Sequence, residues 1–186
     1  MDQAKIEQAI RMLLEAIGED PQREGLIKTP SRIGRAYEEL FSGYLQEREL
    51  QTLLTTFEKE KYDQMVLVKN IEFYSHCEHH MLPFFGKCHV AYIPKDRVIG
   101  VSKIPRIVDI FARRLQLQER LTYQIAEALD TSLQPKGVAI VVKARHLCMS
   151  ARGVKLGSTE MVTSDVRGVF RDKIEARAEF LQLLEV

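Results

Sequence analysis

Two short stretches of the sequence concentrate the side chains that bind transition metals. The first contains Cys77, His79 and His80, and the second contains His146 and Cys148. Two residues separate Cys77 from His80, so one turn can present a sulfur and an imidazole to the same ion. His146 and Cys148 are two positions apart, and on an extended chain both side chains point to the same face. Thiolate and imidazole are the preferred ligands of zinc, so the sequence predicts a metal site.

The number of ligands bears on what such a site does. A structural zinc site normally has four protein ligands, whereas a catalytic site has three and keeps the fourth position for water. An open site lowers the pKa of its bound water to about 7, which produces a hydroxide nucleophile at neutral pH. The spacing leaves open which histidines bind metal and which transfer protons. We interpret Cys88 as a small buried apolar residue, and His76 and His89 as ordinary core or surface residues.

A second group of residues has the composition of an anion site. Ser102 and Lys103 begin a predicted helix, and Arg106 follows one turn later on the same side. A helix N-terminus offers free backbone N–H groups, which suit a phosphate together with a hydroxyl and two cations. Arg152 follows Cys148 closely and adds a positive charge beside the predicted metal. Taken singly, each of these cations is more typical of a solvated helix surface.

Two further pairs are candidates for a nucleotide site. Arg32 and Arg35 lie three positions apart on a predicted helix, and Gln118 and Glu119 begin another. A carboxylate can accept two hydrogen bonds from adjacent N–H donors on a guanine edge, although a single Glu119 is also typical of a helix surface. The sequence has no glycine-rich phosphate loop, so neither a P-loop nor a dinucleotide-binding fold is indicated.

The composition excludes several classes of protein. A chain of 186 residues with 45% apolar and 28% charged residues is typical of a globular protein with a sizeable core. The net charge of +1 argues against a nucleic-acid-binding module, which usually carries a clear basic excess. The sequence shows neither a run of about 18 apolar residues nor a secretory signal, so we expect a cytoplasmic protein without a membrane span. Three cysteines in such a compartment do not indicate a disulfide framework.

The hydrophobic pattern predicts the elements that position these groups. Helical spacing near the N-terminus predicts one helix from a cap at Asp2 to Gly18 and a second from a capping Thr29 followed by Pro30. The pattern then predicts strands at 65–73, 87–94 and 98–102, helices from a capping Ser102 and from about 117, strands at 137–146 and 158–170, and a closing helix at 175–186. This order favours an α+β fold with a mainly antiparallel sheet.

Together these motifs resemble those of GTP cyclohydrolase I. The matching segments occur in the expected order and cover nearly the whole chain: Thr29–Arg32, Cys77–His80, Gly100–Lys103, Gln116–Leu121, His146–Met149 with Arg152 and Gly153, and Gly168–Phe170. The resemblance implies a T-fold (tunnelling fold), in which helices back an antiparallel sheet, with an N-terminal helical region at 1–60 and a catalytic domain at 61–186. Members of this family are typically homodecamers of two stacked pentamers, with each active site between subunits.

The resemblance also implies a role for each candidate residue. The zinc ligands would be Cys77, His80 and Cys148, and the proton-transfer residues His79 and His146. Glu119 would hold the guanine edge, assisted by Gln118 and by backbone groups near Val101. The triphosphate would be bound by Ser102, Lys103, Arg106 and Arg152, and by Arg32 and Arg35 from a neighbouring chain.

The implied activity is the hydrolytic opening of the guanine imidazole ring of GTP, with release of formate and rearrangement to 7,8-dihydroneopterin triphosphate. This reaction is the first step of folate and tetrahydropterin biosynthesis. Two alternatives stay open: another T-fold enzyme that acts on a purine or pterin and stops at ring opening, and a non-catalytic protein in which Cys88 closes a structural zinc site. A zinc base deaminase is not indicated, because its H-x-E and P-C-x-x-C signature is absent.

Overall fold

The computed structural model describes residues 1–185, which contain eight α-helices and seven strands. The helices are α1 (Gln3–Ala16), α2 (Thr29–Leu40), α3 (Glu47–Leu53), α4 (Lys103–Ala112), α5 (Gln118–Leu133), α6 (Leu147–Ser150), α7 (Val169–Asp172) and α8 (Ile174–Glu185). The strands are β1 (Phe57–Glu58), β2 (Val66–Cys77), β3 (Pro83–Ile93), β4 (Arg97–Val98), β5 (Leu115–Gln116), β6 (Gly137–His146) and β7 (Met161–Gly168). No helix within these residues is both long and apolar enough to span a membrane.

The chain forms two compact units, and the first of them extends from Met1 to Ser42. Within it α1 packs against α2. The carboxylate of Asp2 caps α1 by accepting a hydrogen bond from the Lys5 backbone nitrogen at 3.1 Å. The helix ends before Gly18, whose φ of +86° suits glycine. A helical N-terminal region is therefore present, while the predicted boundary after residue 60 stays a prediction.

The second unit begins at Gly43 and is built on a five-stranded sheet in the order β5-β2-β3-β6-β7. All neighbouring strands are antiparallel except β5, which runs parallel to β2. Helices α4 and α5 pack on the sheet, and α7 and α8 cover a second core. Apart from the two-residue strands β4 and β5 and the short helix α6, the chain order from β2 to β7 is two antiparallel strands, two helices and two further antiparallel strands. The predicted α+β class and T-fold architecture, an antiparallel sheet backed by helices, are confirmed.

Strand β6 shows why its residues form a central strand. Its first six residues are all buried, because the two faces of the strand meet two different cores. Val138 and Ile140 belong to the core beneath α4 and α5, whereas Ala139 and Val141 pack in the core that contains Phe170. A strand covered on both faces requires a continuous apolar run rather than an alternating one, and this run makes β6 recognisable in the sequence.

Four local predictions are wrong. The strand expected at 98–102 is limited to β4, because Val101 and Ser102 form a turn before α4. Ser102 has helical backbone angles and makes no side-chain capping bond, and Thr29 lies inside α2 rather than capping it. The strand expected at 158–170 ends at Gly168, where a φ of +55° turns the chain into α7.

Candidate functional site

Three adjacent strands bring the two metal-binding motifs together. Strand β2 ends at Cys77, β6 ends at His146, and β3 lies between them. Because β3 is antiparallel to both, the ends of β2 and β6 lie at the same end of the sheet. Phe84, near the start of β3, is paired with His146, and the short helix α6 that follows β6 carries Cys148. The topology thus joins side chains that are distant in the sequence.

The ligand atoms of Cys77, His80 and Cys148 all lie within 4.8 Å of one another. Cys77 is buried, Cys148 is half-buried and His80 is exposed, so the cluster is rooted in the protein and open on one side. Across residues 1–185, this is the group of three His, Cys, Asp or Glu side chains arranged to hold a metal ion. The sequence-predicted ligand positions therefore converge.

Cys88 has no part in this cluster. It lies fully buried in the core of β3, and this burial raises the pKa of its thiol far above the ordinary value. The interpretation of Cys88 as a small buried apolar residue is confirmed. His76 and His89 are likewise buried strand residues, and the Nδ1 atom of His89 accepts a hydrogen bond from the backbone nitrogen of Asn70 at 3.3 Å.

The thiol of Cys148 is influenced by its neighbours. Partial burial raises the pKa of the Cys148 thiol, and the hydrogen-bonded neighbour Cys77 raises it further, while Arg152 acts in the opposite direction. Both cysteines are free. Arg152 lies beside the cluster, because its Nη1 atom is 3.1 Å from Nε2 of His80. An arginine can only donate, so this histidine nitrogen is the acceptor.

His146, from the second metal-binding motif, is held beside the cluster by a ring contact and a hydrogen bond. The ring of His146 stacks on Phe84 with centroids 4.6 Å apart and planes only 1° from parallel. Its Nε2 atom lies 2.8 Å from Oε1 of Gln118. Partial burial lowers the pKa of His146, and the nearby carboxylate of Glu119 opposes this shift. His79, in contrast, is exposed and makes an edge-to-face contact with His80 at a centroid distance of 6.3 Å.

The start of α5 carries Gln118 and Glu119, the residues predicted to bind the guanine, and it lies beside the cluster. Strand β5 pairs with the last two residues of β2 and leads directly into α5, so Gln118 and Glu119 follow the strand that adjoins Cys77. Glu119 is exposed in the first turn, whereas Gln118 is 1% exposed. One region therefore contains three possible metal ligands, two histidines and an accessible carboxylate.

Known proteins are similar to this chain over nearly its whole length. The family profile described as GTP cyclohydrolase I matches residues 6–185. This chain belongs to the GTP cyclohydrolase I family. It is 55% identical to GTP cyclohydrolase 1 of Pelotomaculum thermopropionicum and 53% identical to that of Clostridioides difficile, in each case over 99% of this chain and 97% of the relative. It is 50% identical to the protein of the same name from Clostridium kluyveri over 100% of both chains.

In this GTP cyclohydrolase I family member, the turn from Cys77 to His80, called the ligand turn, is held by Glu78 and Arg120, for which the sequence predicts no role. The carboxylate of Glu78 accepts a hydrogen bond from Nη2 of Arg120, and the Glu78 backbone nitrogen donates to the Gln116 carbonyl at 3.1 Å. Arg120 also donates to Gln116 Oε1 at 2.9 Å and to the Leu115 carbonyl at 3.1 Å. The turn is thereby tied to β5 and α5. The sequence signal for this contact is a pair of opposite charges, Glu78 and Arg120, in two of the segments that match the family.

Ser102, Lys103 and Arg106, three of the predicted triphosphate residues, lie around the start of α4 together with Val101. Val101 and Ser102 are exposed in the turn before the helix, and Arg106 is exposed one turn later. Lys103 is already engaged, because its Nζ atom donates to the carbonyl oxygen of Thr55 at 3.0 Å and to the hydroxyl of the same residue. Its charge also lies 5.2 Å from the centroid of the Phe57 ring. Thr55 and Phe57 are partners that the sequence analysis missed.

The basic pair Arg32 and Arg35 belongs to α2 in the first unit, and both side chains are exposed. Their spacing of three residues places them on one side of that helix. Their contribution to the site of a neighbouring chain stays a prediction.

Proposed function

We propose that this chain is a zinc-dependent GTP cyclohydrolase I. It opens the imidazole ring of the guanine of GTP by hydrolysis at carbon 8, and a second hydrolysis then releases formate. The ribose rearranges in an Amadori-type step, and ring closure expels one water to give 7,8-dihydroneopterin triphosphate. The observation that carries this proposal is the convergence of Cys77, His80 and Cys148 beside His146 in a member of this family.

The donor set fits zinc. Two sulfurs and one imidazole nitrogen are its preferred ligands, with bonds of about 2.3 Å and 2.0 Å respectively, and the three donors lie within 4.8 Å of one another. When bound, zinc supplies an activated water as the nucleophile at neutral pH. Three protein ligands leave a position for that water. Burial keeps Cys88 out of the cluster, which removes the fourth ligand that a structural zinc site requires.

The histidines and the carboxylate carry the remaining chemistry. His79 and His146 exchange protons with the guanine ring and with the leaving group, as imidazole side chains can do. Glu119 accepts two hydrogen bonds from the N–H donors of the guanine edge, and backbone groups near Val101 assist. The exposure of the Glu119 carboxylate at the start of α5 supports this role. Ser102, Lys103, Arg106 and Arg152 bind the triphosphate.

The site is completed by assembly. We propose a homo-oligomer, a decamer of stacked pentamers, in which Arg32 and Arg35 of a neighbouring chain reach the triphosphate. The exposed position of both arginines on α2 supports a role toward a partner. The enzyme acts in the cytoplasm, where a reducing environment keeps Cys77 and Cys148 as thiols that are able to bind metal.

Turnover of GTP tests the proposal directly. Purified protein is incubated with GTP, and formate is measured together with the fluorescent pterin formed after oxidation. We expect both products, their loss on treatment with a strong chelator, and their return with zinc. We also expect Cys148→Ser to lose zinc and activity and Cys88→Ala to retain both, because only the first residue belongs to the cluster.

Other outcomes identify the alternatives. Formate without pterin indicates a relative that stops at ring opening. If a folded, zinc-loaded protein forms neither product, the proposal is contradicted. Loss of zinc from Cys88→Ala, with folding intact, supports a structural zinc site instead.

A further inference from the structure

The side-chain amide of Gln118 is buried and fully engaged. Its Nε2 atom lies 3.1 Å from the carbonyl oxygen of Val142, 3.0 Å from that of Met161 and 3.1 Å from the hydroxyl of Thr163. Only 1% of the residue is exposed. Backbone carbonyls can only accept hydrogen bonds, so the nitrogen of this amide must face them. The two strands β6 and β7 therefore determine the orientation of the amide.

This orientation determines the protonation of a neighbouring ring. Because the amide nitrogen of Gln118 faces the carbonyls of Val142 and Met161, the amide oxygen of Gln118 faces Nε2 of His146 at 2.8 Å. An amide oxygen accepts and does not donate, so Nε2 of His146 must carry the hydrogen. The neutral ring is then the Nε2–H tautomer, and its lone pair lies on Nδ1.

Two threonines reinforce the arrangement. The hydroxyl of Thr122 donates to the backbone carbonyl oxygen of Gln118 at 2.8 Å. It therefore accepts from the hydroxyl of Thr163, which lies 2.7 Å away. Thr163 in turn accepts from the Gln118 amide. The hydrogen bonds run in a closed circuit, and stacking on Phe84 fixes the plane of the imidazole. Each hydrogen bond in such a circuit polarises the next.

We infer that Gln118 is a positioning residue for His146 and does not contact the guanine. It holds the ring as the Nε2–H tautomer, so that Nδ1 is the atom that takes up and delivers the proton in the hydrolysis. This inference rests on the proposed function for the identity of the reaction. The hydrogen-bond geometry of the buried amide stands independently of it.

The substitution Gln118→Met separates the two roles, because methionine has a similar shape but neither donates nor accepts strongly. We expect kcat for GTP to fall about tenfold to a hundredfold, the usual cost of removing a residue that orients a functional histidine. The KM and the zinc content stay unchanged. Gln118→Glu retains an oxygen toward His146 and recovers part of kcat. Gln51→Met, the same change at an exposed glutamine of α3, leaves all values unchanged.

Binding of GTP provides the decisive comparison. In a His146→Ala background, adding Gln118→Met leaves the affinity for GTP unchanged if Gln118 acts only through His146. A loss of affinity in the double variant, or a raised KM with unchanged kcat in the single variant, overturns the inference in favour of a direct guanine contact.

Neutron diffraction from deuterated wild-type crystals at mildly alkaline pH needs no variant and no substrate. Deuterium on Nε2 and a bare Nδ1 of His146 support the inference, and deuterium on Nδ1 alone overturns it. If the wild-type protein does not hydrolyse GTP, the proposed function fails, and this measurement still decides the tautomer.

Discussion

The two ends of the proposed site are built in opposite ways. At the metal end, Cys77 and His146 lie at the ends of two strands and Cys148 lies in a short helix. Hydrogen bonds and ring stacking hold Cys77 and His146. At the phosphate end, Ser102 and Arg106 come from one turn and the start of one helix and are exposed. The metal end is organised before any ligand binds, whereas the phosphate end depends on long, solvated side chains.

This difference fits what each end is proposed to bind. A metal ion accepts a narrow range of distances and angles, so its ligands are fixed by the sheet and by the network around the ligand turn. A triphosphate is flexible and highly charged, and lysine and arginine can follow it at the surface. Substitutions at the metal end should therefore change turnover, zinc content or both, and those at the phosphate end should change KM.

The largest contrast concerns the two histidines. We expect His79→Ala and His146→Ala each to lower kcat about a hundredfold to ten-thousandfold, the range for removal of a general acid or base. Zinc content should stay at the wild-type level, because neither residue belongs to the Cys77, His80 and Cys148 cluster. Stopped-time assays of formate and elemental analysis of the purified variants measure both quantities. Metal-free but folded protein from either variant contradicts this division of roles.

A smaller effect is expected from the ion pair that anchors the ligand turn. Replacing Arg120 by Met removes the donors to Glu78, to Gln116 and to the Leu115 carbonyl, and it leaves the zinc ligands in place. We expect the affinity for zinc to fall about tenfold to a hundredfold, as is usual when a residue that orients a ligand is lost. Competition with a metal-binding dye measures this affinity.

The matched control lies on the same helix. Glu127 forms an exposed ion pair with Arg167, so Glu127→Gln should leave zinc affinity unchanged, as surface pairs contribute little. Equal losses in Arg120→Met and Glu127→Gln would show that α5 stability, rather than the Glu78 contact, controls the site.

Much of the metal end could be predicted from the sequence, because its residues belong to continuous segments. Strand β6 was expected at 137–146 and extends from Gly137 to His146, since its apolar run is bounded by a glycine and by polar residues. The spacing of cysteine and histidine in two short motifs predicts a metal site, and the family resemblance implies which three residues would bind the metal. Cys88 was correctly assigned to the core.

The contacts that support the site could not be predicted in this way. The contact between Glu78 and Arg120 joins residues 42 positions apart and exists because β5 pairs with the end of β2. The burial of Gln118 depends on carbonyl groups of β6 and β7, which no local pattern around α5 reveals. The missing cap at Ser102 is similar, since the preceding turn places its backbone in helical geometry. Long-range pairing decides the first two, whereas a local turn decides the third.

The smallest expected effect tests whether the phosphate end is truly less organised. Lys103 is held by the carbonyl oxygen and hydroxyl of Thr55, and a triphosphate must compete with this contact. Thr55→Val removes the hydroxyl and one of the two hydrogen bonds to the Lys103 ammonium, worth about 1 kcal/mol at this exposed position. We therefore expect the KM for GTP to fall about twofold to fivefold, whereas Lys103→Met raises it and leaves kcat nearly unchanged. A higher KM in Thr55→Val would mean that Thr55 orients Lys103 for the phosphate, and that both ends of the site are organised in advance.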